Sequence, residues 1–410
     1  MPNKVFKRGC TLLARILFVG AALASASLVH AQAPDVYKVG ILTDMSGPYS
    51  GMGGPGSVVA AKMAIEDCMK AECKGMKIEL LSADHQNKAD IGASKAREWL
   101  DRDKVDAIAD LTNSSVALAV QRLIREKGGI AMYSGPATTV LTNAECAPNG
   151  FHWMFDTYSQ AAGAAAALTK MGQKSWYFVT VDYAFGQSLE KDASDVVKRL
   201  GGTVVGSVRH PLNASDLSSF LLQAQSSKAQ VIGLANGGQD TVNSIKQARS
   251  FGIGTKDQRL AALLVFLSDV HALGLKDAQG LVYTDGFYWD FDKDTRSFAK
   301  RFEGLSKGNK PTMVHAGVYS SVYHYLKAAA ATKSHDANIV SKKMREIPIN
   351  DAVMRNASIR PDGRVIHDMY LYQVKTPAES KGPWDYLKLL STIPADQAFK
   401  PMDASCSLVK

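Results

Sequence analysis

Long apolar runs, cysteines and catalytic signatures are all scarce in this chain, and each shortage removes a class of protein. No stretch supplies the ~20 apolar residues that a membrane-spanning helix needs. The longest candidate, Ile16 to Val29, is 14 residues and follows the basic start Lys4, Lys7 and Arg8. That order, closed by Val29-His30-Ala31, reads as an export signal cleaved after Ala31, with Ala33 as a second position. An uncleaved anchor helix is the competing reading, and its length counts against it. Residues 1–31 are therefore expected to be a signal peptide, and the mature chain to be free in solution outside the cytoplasm. Cys10 precedes the apolar core, so it is not placed for lipid attachment.

The same shortages continue in the mature chain. Losing Lys4, Lys7, Arg8 and Arg15 lowers the formal net charge from +9 to +5. The remaining charges are mixed, with no basic stripe interleaved with aromatics, so no nucleic-acid partner is expected. Five cysteines become four, an even number that suits two disulfides in an oxidising compartment. Four cysteines allow three pairings. The favoured one joins Cys68 to Cys73 as a local staple and Cys146 to Cys406 as a long clip on the C-terminal tail. No C-x-x-C occurs, which argues against a redox motif or a zinc knuckle. The nine histidines form no H-E-x-x-H, and neither a G-x-S-x-G elbow nor a phosphate-cradling Walker sequence is present. The expectation is no metal, no cofactor and no catalysis, a hydrolase being the third-ranked reading without a motif behind it.

Two partial motifs fail on inspection. Gly51-Met52-Gly53-Gly54-Pro55-Gly56 fits G-x-G-x-x-G, with Asp84 as a possible ribose-binding acid. A dinucleotide fingerprint needs its glycines in the turn that directly leaves the strand, and here Asp44 to Ser50 intervene. A loop lying over a ligand is the better reading. Asp290-Phe291-Asp292-Lys293-Asp294 begins like a calcium loop but has Thr295 and Arg301 where glycine and glutamate are required.

What the chain does contain is alternation of strands and helices. Lys38–Thr43, Lys77–Ser82, Val105–Leu111 and Gly129–Ser134 read as strands. Helical faces are marked by Val58, Ala61, Ile65 and Met69, then by Ala89, Ala93, Ala96 and Leu100. Val116, Ala119, Val120, Leu123 and Ile124 give the cleanest helical spacing. The pattern restarts with strands at Ser175–Asp182, Thr203–Val208, Ala229–Ala235 and Ala261–Leu267. Helices at about Ser188–Leu200, Leu217–Ser226 and Val242–Phe251 separate them. A strand at Gln279–Tyr283 and helices at Thr295–Leu305, His315–Thr332 and Ala337–Glu346 follow. Arg364–Lys375 and Trp384–Leu390 suggest β-structure around a Gly-Pro loop. Such alternation implies parallel βαβ units, and the repeat implies two doubly wound α/β lobes.

Ligands in such folds bind at strand-to-helix loops. Asn113-Ser114-Ser115 opens the helix from Val116, and Ser134-Gly135-Pro136-Ala137-Thr138-Thr139 follows the next strand. Each alone suits an ordinary helix cap. Together, hydroxyls and free helix N–H groups on adjacent strands would converge on one anion.

With Asp44-Met45-Ser46-Gly47-Pro48-Tyr49-Ser50-Gly51, Ser114-Ser115 and Ser134-Gly135-Pro136-Ala137-Thr138, the chain resembles the periplasmic leucine/isoleucine/valine-binding proteins of ABC importers. Asp182-Tyr183-Ala184-Phe185-Gly186 and Gln247-Ala248-Arg249-Ser250-Phe251-Gly252 extend the resemblance from about Val36 to the C-terminus. It implies two Rossmann-like lobes joined by three crossovers, with 35–155 and 286–363 in one and 156–285 and 364–410 in the other. It further implies that Ser114 or Ser115, Asn113, Ser134, Pro136, Ala137 and Thr138 surround a ligand carboxylate. Tyr49 and Met52 would border the pocket, and Tyr183, Phe185, Gln239, Ser268 and Asp269 would close it, with Tyr288 beside a crossover. Amino-acid binders of this family set an acid against the ligand ammonium, because a buried ammonium without a partner is costly. Here only Asp269 stands in a suitable loop. If it points elsewhere, an aromatic or other organic acid is expected in place of an amino acid. The implied partner is a membrane permease served by a monomer, the alternative being a ligand sensor that docks on a signalling partner.

Overall fold

Two parallel sheets wound in the same order organise the chain, which the computed structural model describes at residues 35–254 and 258–409. The expected signal peptide lies outside the described residues. The first sheet contains β1 (Val36–Thr43), β2 (Lys77–Asp84), β3 (Ala107–Asp110), β4 (Ile130–Tyr133) and β5 (Gly150–His152), in the order β2-β1-β3-β4-β5 and parallel throughout. Its connections are α1 (Gly54–Lys70), α2 (Ala89–Glu98) and α3 (Ser114–Lys127). Strand alternation divides the apolar side chains between two faces. Val39, Ile41, Ala107 and Ala109 share a core with Ala60, Ala61 and Ala64 of α1. Leu42, Ile108 and Ala131 share another with Trp99 and with Val116 and Val120 of α3. A Cβ on Gly40 would lie 2.5 Å from the Trp99 ring, so only glycine allows the indole to lie against β1.

The second sheet follows α4 (Thr157–Lys170). It comprises β6 (Ser175–Val181), β7 (Thr203–His210), β8 (Val231–Ala235) and β9 (Arg259–Ala262), in the order β7-β6-β8-β9. These strands alternate with α5 (Ala184–Arg199), α6 (Ser218–Ser226) and α7 (Gln239–Ser250), after which come α8 (Leu267–Leu273) and α9 (Leu275–Ala278). A third, antiparallel sheet is built from β10 (Val282–Asp285), β13 (Met369–Val374) and β14 (Leu387–Ile393). Between β10 and β13 run α10 (Lys293–Leu305), α11 (Met313–Thr332), α12 (Ala337–Glu346) and the short hairpin β11 (Ser358–Ile359) and β12 (Val365–Ile366). Helix α11 packs along α1, so this excursion joins the first sheet's core. The tail ends with α13 (Ala395–Ala398) and Cys406 bonded to Cys146.

The chain therefore passes between the two lobes three times, after β5, after β10 and before β13. The first and third passages are clasped together. Buried Arg364 donates to the carbonyls of Trp153 (2.7 Å) and Phe155 (2.9 Å), and His367 Nε2 donates to that of Met154 (2.8 Å). Arg364 also faces the Phe399 ring at 4.1 Å and lies 3.7 Å from the Asp156 carboxylate.

The doubly wound α/β reading and the two favoured disulfides match the structure. Three local expectations need correction. Helix α4 and strand β5 lie where the periodicity predicts nothing. The run Ala161–Ala167 holds no polar side chain to reveal a face, and the helix start is fixed by Asp156, whose carboxylate accepts from Ser159 N at 2.8 Å. The strand expected at Ala261–Leu267 ends at Ala262, since Asp269 accepts from Phe266 N (3.0 Å) and starts α8 at Leu267. Helix α5 begins at Ala184, about one turn before the expected Ser188.

Candidate functional site

Strand order 2-1-3-4-5 reverses its winding direction between β1 and β3, and open α/β sheets bind ligands in the crevice at that reversal. The second sheet has the same reversal between β6 and β8. The loops after β1, β6 and β8 meet across the lobe boundary, and the loop after β4 reaches α5 there.

In the first lobe, the loop after β1 is shaped by Asp44. Its carboxylate accepts from Gly47 N (2.7 Å), Tyr49 N (2.8 Å) and Asn87 Nδ2 (2.7 Å). Those bonds turn the loop so that Tyr49, 2% exposed, reaches the other lobe. Its hydroxyl lies 2.7 Å from that of Tyr183 in the loop after β6, and burial raises the pKa of both phenols. A backbone contact lies beside it. Pro48 O accepts from Gln239 N (3.2 Å), and a Cβ on Gly238 would lie 2.5 Å from that oxygen. Gly238 also has φ +59°, so two independent constraints require glycine there.

The loop after β3 turns through Asp110 and Leu111, at φ +77° and +62°, conformations that cost non-glycine residues energy and cluster at ligand clamps. Asn113 then caps α3, its Oδ1 accepting from Ser115 N (2.9 Å) and Val116 N (3.2 Å). Ser114 Oγ accepts from Ala137 N and Thr138 N, both at 3.3 Å. The loops after β3 and β4 thus converge on one hydroxyl. A serine that accepts two N–H groups still has its own proton to give, which makes Ser114 a donor suited to an anion. Asp110, fully buried beneath these loops, has neither oxygen in a well-formed hydrogen bond among the described residues. Burial pushes its carboxyl up to about 7. The carboxylate fits because residues 53 and 135 are glycines, whose Cβ atoms would lie 3.1 and 2.6 Å from its oxygens.

The expected residues divide into two groups. Tyr49, Asn113, Ser114, Ser115, Ala137, Thr138 and Tyr183 lie in the meeting loops. Thr138 Oγ1 crosses the boundary to Ser188 Oγ (3.2 Å). Phe185, 3% exposed, lies in the first turn of α5 and walls the second lobe against Gly237. Ser268 Oγ is buried without a partner among the described residues, and its side chain is the nearest neighbour across from Gly51, 3.9 Å from a Cβ there.

The others make contacts of other kinds, and the Ser134 hydroxyl is buried without a hydrogen-bond partner among the described residues. Met52 is buried in the first-lobe core, its carbonyl held by Thr312 Oγ1 at 2.6 Å. Ser134 faces α11, where a Cβ on Gly317 would lie 3.2 Å from its hydroxyl. The Pro136 carbonyl accepts from His152 Nε2 (2.8 Å). The Gln239 side chain is exposed and bonds Asn243, because it sits at the start of α7. Tyr288 donates to Trp384 O (3.1 Å) and packs on Tyr372, inside the second lobe. Asp269 spends a carboxylate oxygen on Phe266 N, and burial pushes its pKa up to about 7.

Sequence reasoning missed Ser188 and Asp192. They occupy one face of α5, four residues apart, and receive Thr138, Thr139 and Thr157. That spacing was visible, but starting the helix at Ser188 makes Ser188 a cap. Asp240 was also missed. It begins α7 and accepts from Asn213 N and Ala214 N, both 3.0 Å, with its pKa raised to about 6 by burial.

Two reversal points facing each other across three crossovers define a two-lobed small-molecule binding protein. The periplasmic binding protein family matches residues 36–383, and the chain belongs to that family, in its type I branch. Solved structures agree. A periplasmic binding protein from Burkholderia mallei is 50% identical, with a TM-score of 0.88, over 92% of this chain and 100% of its own. A branched-chain amino acid ABC transporter periplasmic ligand-binding protein from Burkholderia xenovorans LB400 is 40% identical, with a TM-score of 0.79, over 90% and 100%. An amino acid ABC transporter substrate-binding protein from Pseudomonas fluorescens Pf-5 is 25% identical, with a TM-score of 0.79, over 92% and 99%.

Proposed function

We propose that this chain is the periplasmic component of an ABC importer, that it closes two lobes around a small organic carboxylate, and that it hands the ligand to a membrane permease without catalysis. The observation that carries this is Ser114 Oγ, fixed by two backbone N–H groups from the neighbouring loop at the first-lobe reversal point. A helix N-terminus and oriented hydroxyls hold an anion without a counter-cation. Closure excludes water and strengthens those bonds. Residues 35–155 with 286–363, and 156–285 with 364–410, are the proposed lobes, and 1–31 the removed export signal.

An organic acid without an amine is the preferred ligand, because the second-lobe acids are already engaged. Asp269 and Asp240 accept backbone N–H groups, and Asp182 pairs with Arg209 at 3.1 Å. An amino acid is the second reading, favoured by the name of the 40%-identical relative. Unfolding, washing and refolding the protein, then screening thermal stability against benzoate, phenylacetate, leucine and phenylalanine, separates the two. Stabilisation of about 2.7 kcal/mol is expected for an acid present at 100 times its Kd. A shift with leucine or phenylalanine alone reverses the ligand choice, and no shift with any of the four refutes the carboxylate reading.

A further inference from the structure

Beyond the three crossovers, the C-terminal tail also bridges the two lobes. It is tied to the first lobe by the Cys146–Cys406 disulfide, and Arg360 holds the Lys400 carbonyl at 2.6 Å. From that anchorage the Lys400 ammonium bonds the Asp192 carboxylate on α5, in the second lobe, and lies 5.4 Å from the Tyr158 ring of α4. Asp192 is 1% exposed and accepts on its other oxygen from Thr157 Oγ1 (2.6 Å) and from Thr139 Oγ1 (3.2 Å). Thr139 belongs to the first-lobe loop that holds Ala137 and Thr138.

We infer that Asp192 is a positioning residue for ligand capture, and that the tail supplies the cation that lets it close. The inference rests on the binding-protein reading above. In the closed form Asp192 is covered by the Thr138–Thr142 segment and loses its water. A buried carboxylate without a counter-charge is costly, whereas a half-exposed lysine without one is not. Lys400 therefore lowers the cost of closure specifically. The disulfide raises the concentration of that lysine at Asp192 by restricting where the tail can go. Thr139 then reports the pair's position to the loop that presents Ala137 N and Thr138 N.

This arrangement predicts an asymmetry. Lys400→Met leaves Asp192 buried and unpaired, and it should speed ligand dissociation on the order of tenfold with little change in association. Asp192→Asn should do less alone, and the double variant should recover most of what Lys400→Met loses. Cys406→Ser should act in the same direction as Lys400→Met but more weakly. The probes are benzoate and leucine, with dissociation followed by stopped flow. Small-angle scattering on the ligand-free proteins should give a larger radius of gyration for Lys400→Met than for the double variant. A thermal-unfolding midpoint on each variant identifies any that fails to fold, and Lys400→Gln then replaces it. Additive losses in the double variant, or wild-type dissociation and radius in Lys400→Met, overturn the inference. If neither probe binds the wild type, the ligand assignment fails while the scattering comparison still decides the role of Asp192.

Discussion

The two reversal points share a topology and differ in chemistry. The first-lobe loops carry Asn113, Ser114, Ser115 and Thr138, and their backbone N–H groups are gathered onto one hydroxyl. The second-lobe loops bring Tyr183, Phe185, Gly237 and Gly238, with the acids turned away to cap or brace their own elements. On the proposed function, one side holds charge and the other covers it. A ligand can therefore seat on the first lobe before closure, and the second lobe adds mainly desolvation and shape. Such a division makes closure a population shift driven by differential contacts.

The largest effect should come from destroying the covering side. Gly238→Val puts a branched side chain at positive φ and against Pro48 O, so the lobes cannot meet. Binding measured by calorimetry should fall at least a hundredfold. The local strain should lower stability by about 1–3 kcal/mol, since Gly238 at φ +59° and ψ −133° lies outside the left-handed helical region. Equal binding by this variant would break the comparison. On the holding side, Ser114→Ala removes the hydroxyl proton that Ser114 would offer the anion. About 1–3 kcal/mol should be lost, roughly a tenfold to hundredfold weaker Kd for a carboxylate. A change smaller than that would move the anion site away from Ser114.

Tyr49→Phe and Tyr183→Phe each remove one bond between the lobes and should cost about 0.5–1.5 kcal/mol of binding. Their double variant should cost no more than the worse single, since both act on the same 2.7 Å contact. Smallest on binding, and visible instead as a pH trend in stability, is the effect of Asp110. Its pKa is raised from the ordinary aspartate value to about 7, so the folded state holds a proton that the unfolded state releases. Between about pH 4 and pH 7 stability should fall as pH rises. Asp269 and Asp240, also raised by burial, contribute in the same direction, so Asp110→Asn should reduce that slope in urea unfolding at pH 5 and pH 8, and an unchanged slope in the variant would remove Asp110 as one of its sources.

Much of this comparison was legible in the residues. Strand positions followed from apolar runs bounded by turn residues, and Asn113-Ser114-Ser115 announced a capped helix at a strand end. The loop residues that use their backbone or their capping oxygens were also in view, because caps have a local chemistry. What stayed hidden depends on neighbours far along the chain. Ser134 reads as a loop hydroxyl until α11, nearly two hundred residues later, is found against it. Met52 reads as a pocket border and Tyr288 as a crossover residue, and neither reading reveals their distant partners Thr312 and Trp384. Asp269 read as a free acid because the strand before it was drawn too long, and shortening the strand turned the acid into a cap. Alanine-rich α4 gave no signal because a helix buried nearly all round has no polar face to mark its period.

The most direct test is a pair of calorimetric titrations on refolded wild-type protein, one with the best-binding acid of the screen and one with its primary amide. The two ligands have the same shape and differ in charge. The account predicts saturable binding of the acid, with the amide weaker by at least tenfold, since Ser114 and the α3 N-terminus are arranged to receive an anion. Equal affinity for the amide would contradict it, and would leave a clamp that recognises shape alone.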